Sequence, residues 1–187
     1  MSPKERAKII GKSGKRNEAK AKSASSSETA DLAAPIKPGL AAPEFDLEDD
    51  EGKLRRLSEF RGKPVILYFY PADDTPGCTK EACNFRDDYS AYLKAGVTIL
   101  GVSPDSVKSH AKFKKKYGLP FPLLADAGHH VCSRYGVWGS KTFMGRTFQG
   151  VLRTTFLIDR QGTIARTFEQ VRPSEHSEEV LTALRDL

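Results

Sequence analysis

Two cysteines five positions apart, Cys78 and Cys83, are the side chains of this 187-residue chain best suited to chemistry. They end the stretch Pro71-Ala-Asp-Asp-Thr-Pro-Gly-Cys78-Thr-Lys-Glu-Ala-Cys83. The most apolar run of the chain, Val65-Ile-Leu-Tyr-Phe-Tyr70, precedes it, and a segment with helical spacing, Ala82 through Leu93, follows. A strand, a loop and then a helix place Cys78 at or inside the first helical turn. Free backbone N–H groups and the positive end of the helix dipole sit there beside the sulfur. That setting favours the thiolate, which is the nucleophile. If Cys83 shares the helix, the two Cα atoms are roughly 8–9 Å apart, whereas a disulfide needs them within about 7 Å. The pair can stay reduced in the folded helix and can join only if that turn unwinds. This arrangement suggests a catalytic redox cycle rather than a structural staple; the bland alternative is an inert buried cysteine.

The elements that must position this stretch follow from pattern. Phe45-Asp-Leu47 and Lys53-Leu-Arg-Arg-Leu57 flank an acidic turn and predict a β-hairpin. Ser58 is a candidate cap for a short turn. Val65–Tyr70 reads as a strand covered on both faces. Gly96 ends the cysteine helix, and Val97–Val102 is a second buried strand. Ser103-Pro-Asp-Ser opens a helix that runs to about Tyr117, where Gly118 and Pro120 stop it. Pro122–Ala125 reads as a short strand and His129–Tyr135 as a short helix. Residues 136–150 predict a loop and hairpin, with Trp138, Phe143 and Phe148 as a cluster over the active-site edge. Thr154–Asp159 and Thr163–Glu169 are strands, and a last helix starts after Ser174, with Ser174 and Ser177 as candidate caps. The β-α-β crossover needs parallel strands, and the last hairpin makes the sheet mixed. The fold class is α/β, in the thioredoxin-like order.

Pro71-x-x-x-Thr75-x-x-Cys78, with Cys83 five residues on and Arg153 in Gly150-Val-Leu-Arg-Thr-Thr-Phe-Leu-Ile-Asp159, resembles the peroxiredoxins. The match is best to their Q-type branch, the bacterioferritin comigratory proteins, over about residues 38–187. The resemblance implies a thiol peroxidase that reduces hydrogen peroxide and organic hydroperoxides. Cys78 would attack a peroxide oxygen and become a sulfenic acid. Thr75, backbone N–H groups near Gly77–Cys78 and Arg153 would stabilise the shifting charge, and Pro71 would shield the thiolate from water. Cys83 would resolve the sulfenic acid as an intramolecular disulfide, which thioredoxin or a similar dithiol protein would reduce. A monomer with no cofactor is implied as well. Taken singly, Thr75 reads as a turn residue, Arg153 as a strand-edge charge and Pro71 as a strand terminator; the joint pattern outweighs these readings.

Composition sets the remaining bounds. Of the formal charge of +6, residues 1–30 carry +5, from eight Lys/Arg against three acids. Residues 1–34 contain no aromatic residue and predict a basic, disordered or partly helical arm, with residues 35–187 as the catalytic domain. The arm is expected to be a solvated tail, with nucleic-acid binding or targeting as the alternative. Three cysteines without a secretory leader point to a reducing compartment, cytoplasmic or, in a eukaryote, nuclear. No apolar run approaches the ~18–20 residues of a membrane span. Cys132 follows His129 and His130 without a zinc-site spacing and reads as a packed free thiol, with no metal site expected. Glu81 reads as a complement to the helix dipole, with a role in the proton network as the weaker alternative. A disulfide reductase is ranked lower, because the C-x-x-C pair is absent. A nucleic-acid-binding or scaffold protein with a vestigial enzyme body is the alternative from another class, and the intact Pro71, Thr75, Cys78 and Arg153 set speaks against it.

Overall fold

A computed structural model describes residues 36–143 and 145–187; the basic arm expected over residues 1–34 lies outside them. The first elements are β1 (Asp46–Asp49) and β2 (Leu54–Arg56), an antiparallel hairpin. A 3-10 turn, Leu57–Phe60, leads to β3 (Val65–Phe69). Then come α1 (Pro76–Asp87), α2 (Tyr89–Lys94), β4 (Thr98–Ser103), α3 (Val107–Tyr117), β5 (Leu123–Ala125) and α4 (His130–Arg134). The chain closes with β6 (Trp138–Phe143), β7 (Arg146–Val151), β8 (Thr154–Ile158), β9 (Ile164–Glu169) and α5 (His176–Ala183). Seven strands form one sheet in the order β2-β1-β5-β4-β3-β8-β9. β3, β4 and β5 run parallel, while β8, β9 and β1 run antiparallel to their neighbours. The sheet is mixed at both edges, as thioredoxin-like domains with an added N-terminal hairpin require. β6 and β7 form a separate two-stranded ribbon.

β3 is buried on both faces, which explains its unbroken apolar run. Val65, Leu67 and Phe69 join the core cluster that holds Phe45, Leu124, Tyr135 and Phe156. Ile66, Tyr68 and Tyr70 join the opposite cluster with Cys78, Phe85, Tyr92, Phe113 and Val180. The period of two along the strand thus divides the core into two layers. Gly101 in β4 makes room for this packing: a Cβ there would stand 2.6 Å from the Tyr68 hydroxyl.

Three local expectations are corrected. The cysteine helix is not continuous to Leu93. It breaks at Asp88 (φ −90°, ψ 4°), whose carboxylate accepts a 2.7 Å bond from the Ser177 hydroxyl. Ser58 caps nothing by its side chain; the Arg56 N–H donates to Glu59 and the Ser58 N–H to Glu44. The N-cap of α5 is Glu175, neither Ser174 nor Ser177, because Ser177 already belongs to the first turn and spends its hydroxyl on Asp88. Ser106 does cap α3, accepting from the Ser109 N–H, and Gly118 ends that helix at φ 61°.

Phe85 ties α1 to the sheet and to α5 through Tyr68, Tyr92 and His176, and it is fully buried. Phe85→Ala is expected to lower stability by about 3–5 kcal/mol, read as a lower urea midpoint at an unchanged slope.

Candidate active site

The site is assembled where β3 ends. The loop 71–75 leaves that end and enters α1, with Thr75 as N-cap and Pro76 at the first helical position. Cys78 therefore sits in the first turn, where backbone N–H groups lack intrahelical partners. It is 2% exposed. Arg153 arrives from the other end of the sequence by topology. Because β8 runs antiparallel to β3, Thr154 pairs with Phe69, so the residue before β8 lies beside the cysteine loop. The Arg153 Nη2 donates to Cys78 Sγ at 3.1 Å. Gly77 permits this approach, since a Cβ there would stand 3.3 Å from the same Nη2.

Arg153 also pairs, through Nη1, with the carboxylate of Glu81. Glu81 is 1% exposed and its Oε1 has no hydrogen-bond partner. Burial pushes its carboxyl up to about 7, against the opposing pull of Arg153. Glu81 is thus not the surface dipole complement its place near the helix start suggests. It faces inward on the same side of α1 as Cys78, a position that i, i+3 spacing makes available.

The other predicted residues divide into two groups. Pro71 and Thr75 flank the loop before Cys78, both in partly exposed positions or at its edge. The Thr75 hydroxyl donates to the Ala72 carbonyl at 3.0 Å, closing the turn. Cys83 lies further along α1, is half-buried and is free. It shares the unbroken helix 76–87 with Cys78 and is not bonded to it. Cys132 belongs elsewhere. It is fully buried in the opposite core layer, and burial, reinforced by the Asp126 carboxylate, pushes its thiol far up. His129 stacks on Trp138 with ring centroids 3.8 Å apart, and among the described residues no three His, Cys, Asp or Glu side chains converge to hold a metal. Trp138 is thereby packed against the core as part of a strand rather than in a loop, while Phe148 is about half exposed.

Sequence reasoning did not single out Lys141, Asp73 or His110. Lys141 reaches back from β6, donates to the Val151 carbonyl and lines, with Arg153, a cavity of about 480 Å³. Leu152, Phe156 and Val171 supply apolar walls of that cavity. Burial pulls the Lys141 ammonium down from its ordinary range. Asp73 and His110 meet across 37 positions, a pairing that local pattern does not reveal.

Comparison with known proteins gives the chain its family. Residues 38–167 match the AhpC/TSA family. The chain is 52% identical over 149 residues to a Coxiella burnetii protein carrying the peroxiredoxin bcp name, covering 80% of this chain and 99% of that one. It is 44% identical over 152 residues to the peroxiredoxin Bcp of Escherichia coli (strain K12), covering 81% and 97%. Among solved structures, a Xanthomonas campestris bacterioferritin comigratory protein, studied for alkyl peroxide reduction, superimposes with a TM-score of 0.75 at 35% identity. That alignment covers 80% of this chain and 98% of the other.

Glu81 gives the site a measurable pH signature. Its carboxyl is raised from 4.5 to about 7 in the fold, so between those values the folded state holds a proton that the unfolded state has lost. Stability therefore falls as pH rises through this window, by up to about 1.4 kcal/mol per pH unit for one proton. Glu81→Gln is expected to remove that slope, so urea midpoints of variant and parent should diverge from pH 4.5 to 7 in favour of the variant. Parallel curves would show that Glu81 titrates normally.

Proposed function

This chain belongs to the AhpC/TSA family and is a thiol peroxidase of the Bcp/Q-type peroxiredoxins, and on that premise we propose that Cys78 is its attacking thiol and Cys83 its resolving thiol. The observation that carries the first assignment is the 3.1 Å contact between the Arg153 guanidinium and a sulfur in the first turn of a helix. The Cys78 thiolate forms an S–O bond with one peroxide oxygen as the O–O bond breaks. The leaving oxygen takes up a proton and departs as water or an alcohol, and Cys78 remains as a sulfenic acid. Arg153 and the free N–H groups of the first turn hold the charge that moves along the S–O–O line. Pro71 shields the sulfur. Thr75 shapes the entry through its bond to Ala72 and offers its oxygen lone pairs rather than its proton.

The Cys83 thiolate then attacks the sulfenic sulfur, forming the disulfide and releasing hydroxide, which leaves as water. α1 must open for this step, because the two thiols share one intact helix. A dithiol reductant of the thioredoxin type returns both thiols, and thioredoxin itself fits this role. We favour a monomer and a cytoplasmic setting.

Organic hydroperoxides are proposed as substrates beside hydrogen peroxide. The alkyl peroxide reduction studied in the Xanthomonas relative supports this reading. So does the cavity that shares Arg153 with the site, whose apolar walls suit an alkyl group and whose Lys141 suits a polar or anionic end.

Cys78→Ser is expected to abolish peroxide consumption in stopped flow. Cys83→Ser should allow one turnover per chain and then stall with thioredoxin as reductant, and mass mapping of the oxidised parent should yield a Cys78–Cys83 link. Multiple turnovers by Cys83→Ser at the parent rate would remove Cys83 from the cycle. For the cavity, Thr167→Phe, which fills it from β9, should lower the ratio of rate constants for cumene hydroperoxide over hydrogen peroxide by about tenfold. An unchanged ratio would place the alkyl group elsewhere.

A further inference from the structure

We infer that Asp73 and His110 are positioning residues for the attack by Cys78, acting through the loop that carries Pro71 and Thr75; this rests on the peroxidase reading above. Asp73 is the middle residue of that loop, and its side chain is 4% exposed. Its carboxylate accepts from three donors: the Tyr70 hydroxyl at 2.7 Å, the Ser109 hydroxyl at 2.7 Å and His110 Nδ1 at 2.9 Å. Its own N–H donates to Asp105 at 2.8 Å, and Asp105 in turn accepts from the Ser103 hydroxyl. The loop is thus fastened to the ends of β3 and β4 and to the first turn of α3.

Asp74 makes a second fastening. It holds φ 55°, a left-handed conformation that a non-glycine residue keeps only where its surroundings over-determine it. Its carboxylate accepts from Lys116 Nζ at 2.7 Å and from the Tyr117 hydroxyl at 2.6 Å, both in the last turn of α3. Seven residues separate Ser109 from Lys116, about 10 Å of helix. Two adjacent residues in the middle of the cysteine loop, Asp73 and Asp74, therefore grip α3 near its two ends.

His110 gives the inner fastening its chemical character. The residue is fully buried, with Nδ1 at the Asp73 carboxylate and Nε2 3.2 Å from the Leu124 carbonyl oxygen. Both ring nitrogens face acceptors. The shorter contact is the one at Nδ1, which donates its N–H to the Asp73 carboxylate and so fixes the ring against the loop. The other charged or titratable groups nearby are Tyr70, Asp105 and, one turn along α3, Lys114 in its pair with Asp50. The pinned loop also sets the N-terminal limit of any unwinding in α1.

The test uses the full chain, reduced and labelled with ¹⁵N. Two-bond ¹H–¹⁵N spectra at pH 7.5, with His110 assigned by its loss in His110→Asn, should show a proton on His110 Nδ1, the nitrogen at Asp73; an Nδ1 without a proton would overturn the pair. In stopped flow, Asp73→Asn should lower the second-order rate constant for hydrogen peroxide by about tenfold while unfolding stays cooperative. A rate equal to the parent's would overturn the positioning role. If that variant does not fold, the spectrum of the parent decides. Failure of the parent itself to consume peroxide faster than a free thiol would sink the peroxidase reading instead, so the two failures are told apart.

Discussion

A sulfur that works as an anion yet is almost wholly shut away from water must draw its charge compensation from the protein. Cys78, as the attacking thiol proposed above, is in that position, and the surrounding architecture answers to it. The first turn of α1 supplies uncommitted N–H groups, and the link before β8 supplies a guanidinium. Neither is adjustable alone. The helix start is fixed by the end of β3, and Arg153 by the antiparallel register of β8 on that same strand. Glu81 completes the balance by sharing Arg153 with the sulfur, so one cation faces two groups that compete for it. The fully buried central strand is the common datum for all three.

The parts of this arrangement that obey local rules were readable in the residues. The doubly buried β3, a helix start close to Cys78 and the hairpin order announce themselves through residue type, helical spacing and turn residues. Arg153 was readable only through resemblance, since its neighbour in space is 75 positions away. What escaped the sequence has one physical origin. Glu81, Asp73, His110 and Asp88 are polar residues whose meaning lies in partners contributed by other elements. Ser177 shows the same limit in reverse: its type and place suggest a cap, but tertiary contact with Asp88 claims the hydroxyl first. Pattern reports which face of an element is apolar, whereas the pairing of buried polar groups depends on register between elements.

The separation of the two layers explains the different fates of the cysteines. Cys78 faces the layer that α1, α2 and α5 cover, next to the sheet end where the loops gather. Cys132 lies in the other layer, against Asp126 and without a cation, so the same side chain is driven toward the neutral thiol. One residue type thus meets a guanidinium on one side of the sheet and a carboxylate on the other.

The break at Asp88 bears on how much of the molecule must melt in each cycle. α1 contains 12 residues and α2 a further 6. Had they been continuous, opening the first turns would have pulled on the whole rod, because helical hydrogen bonds propagate cooperatively. The interruption, held by Ser177 on α5, divides the rod into two separate cooperative segments. Backbone freedom returns about 1–2 kcal/mol per residue released, so a short segment can open and reclose near balance while the aromatic contacts of Tyr92 stay closed. The interruption acts as a firebreak, confining the disorder of turnover to α1 and keeping it out of α2.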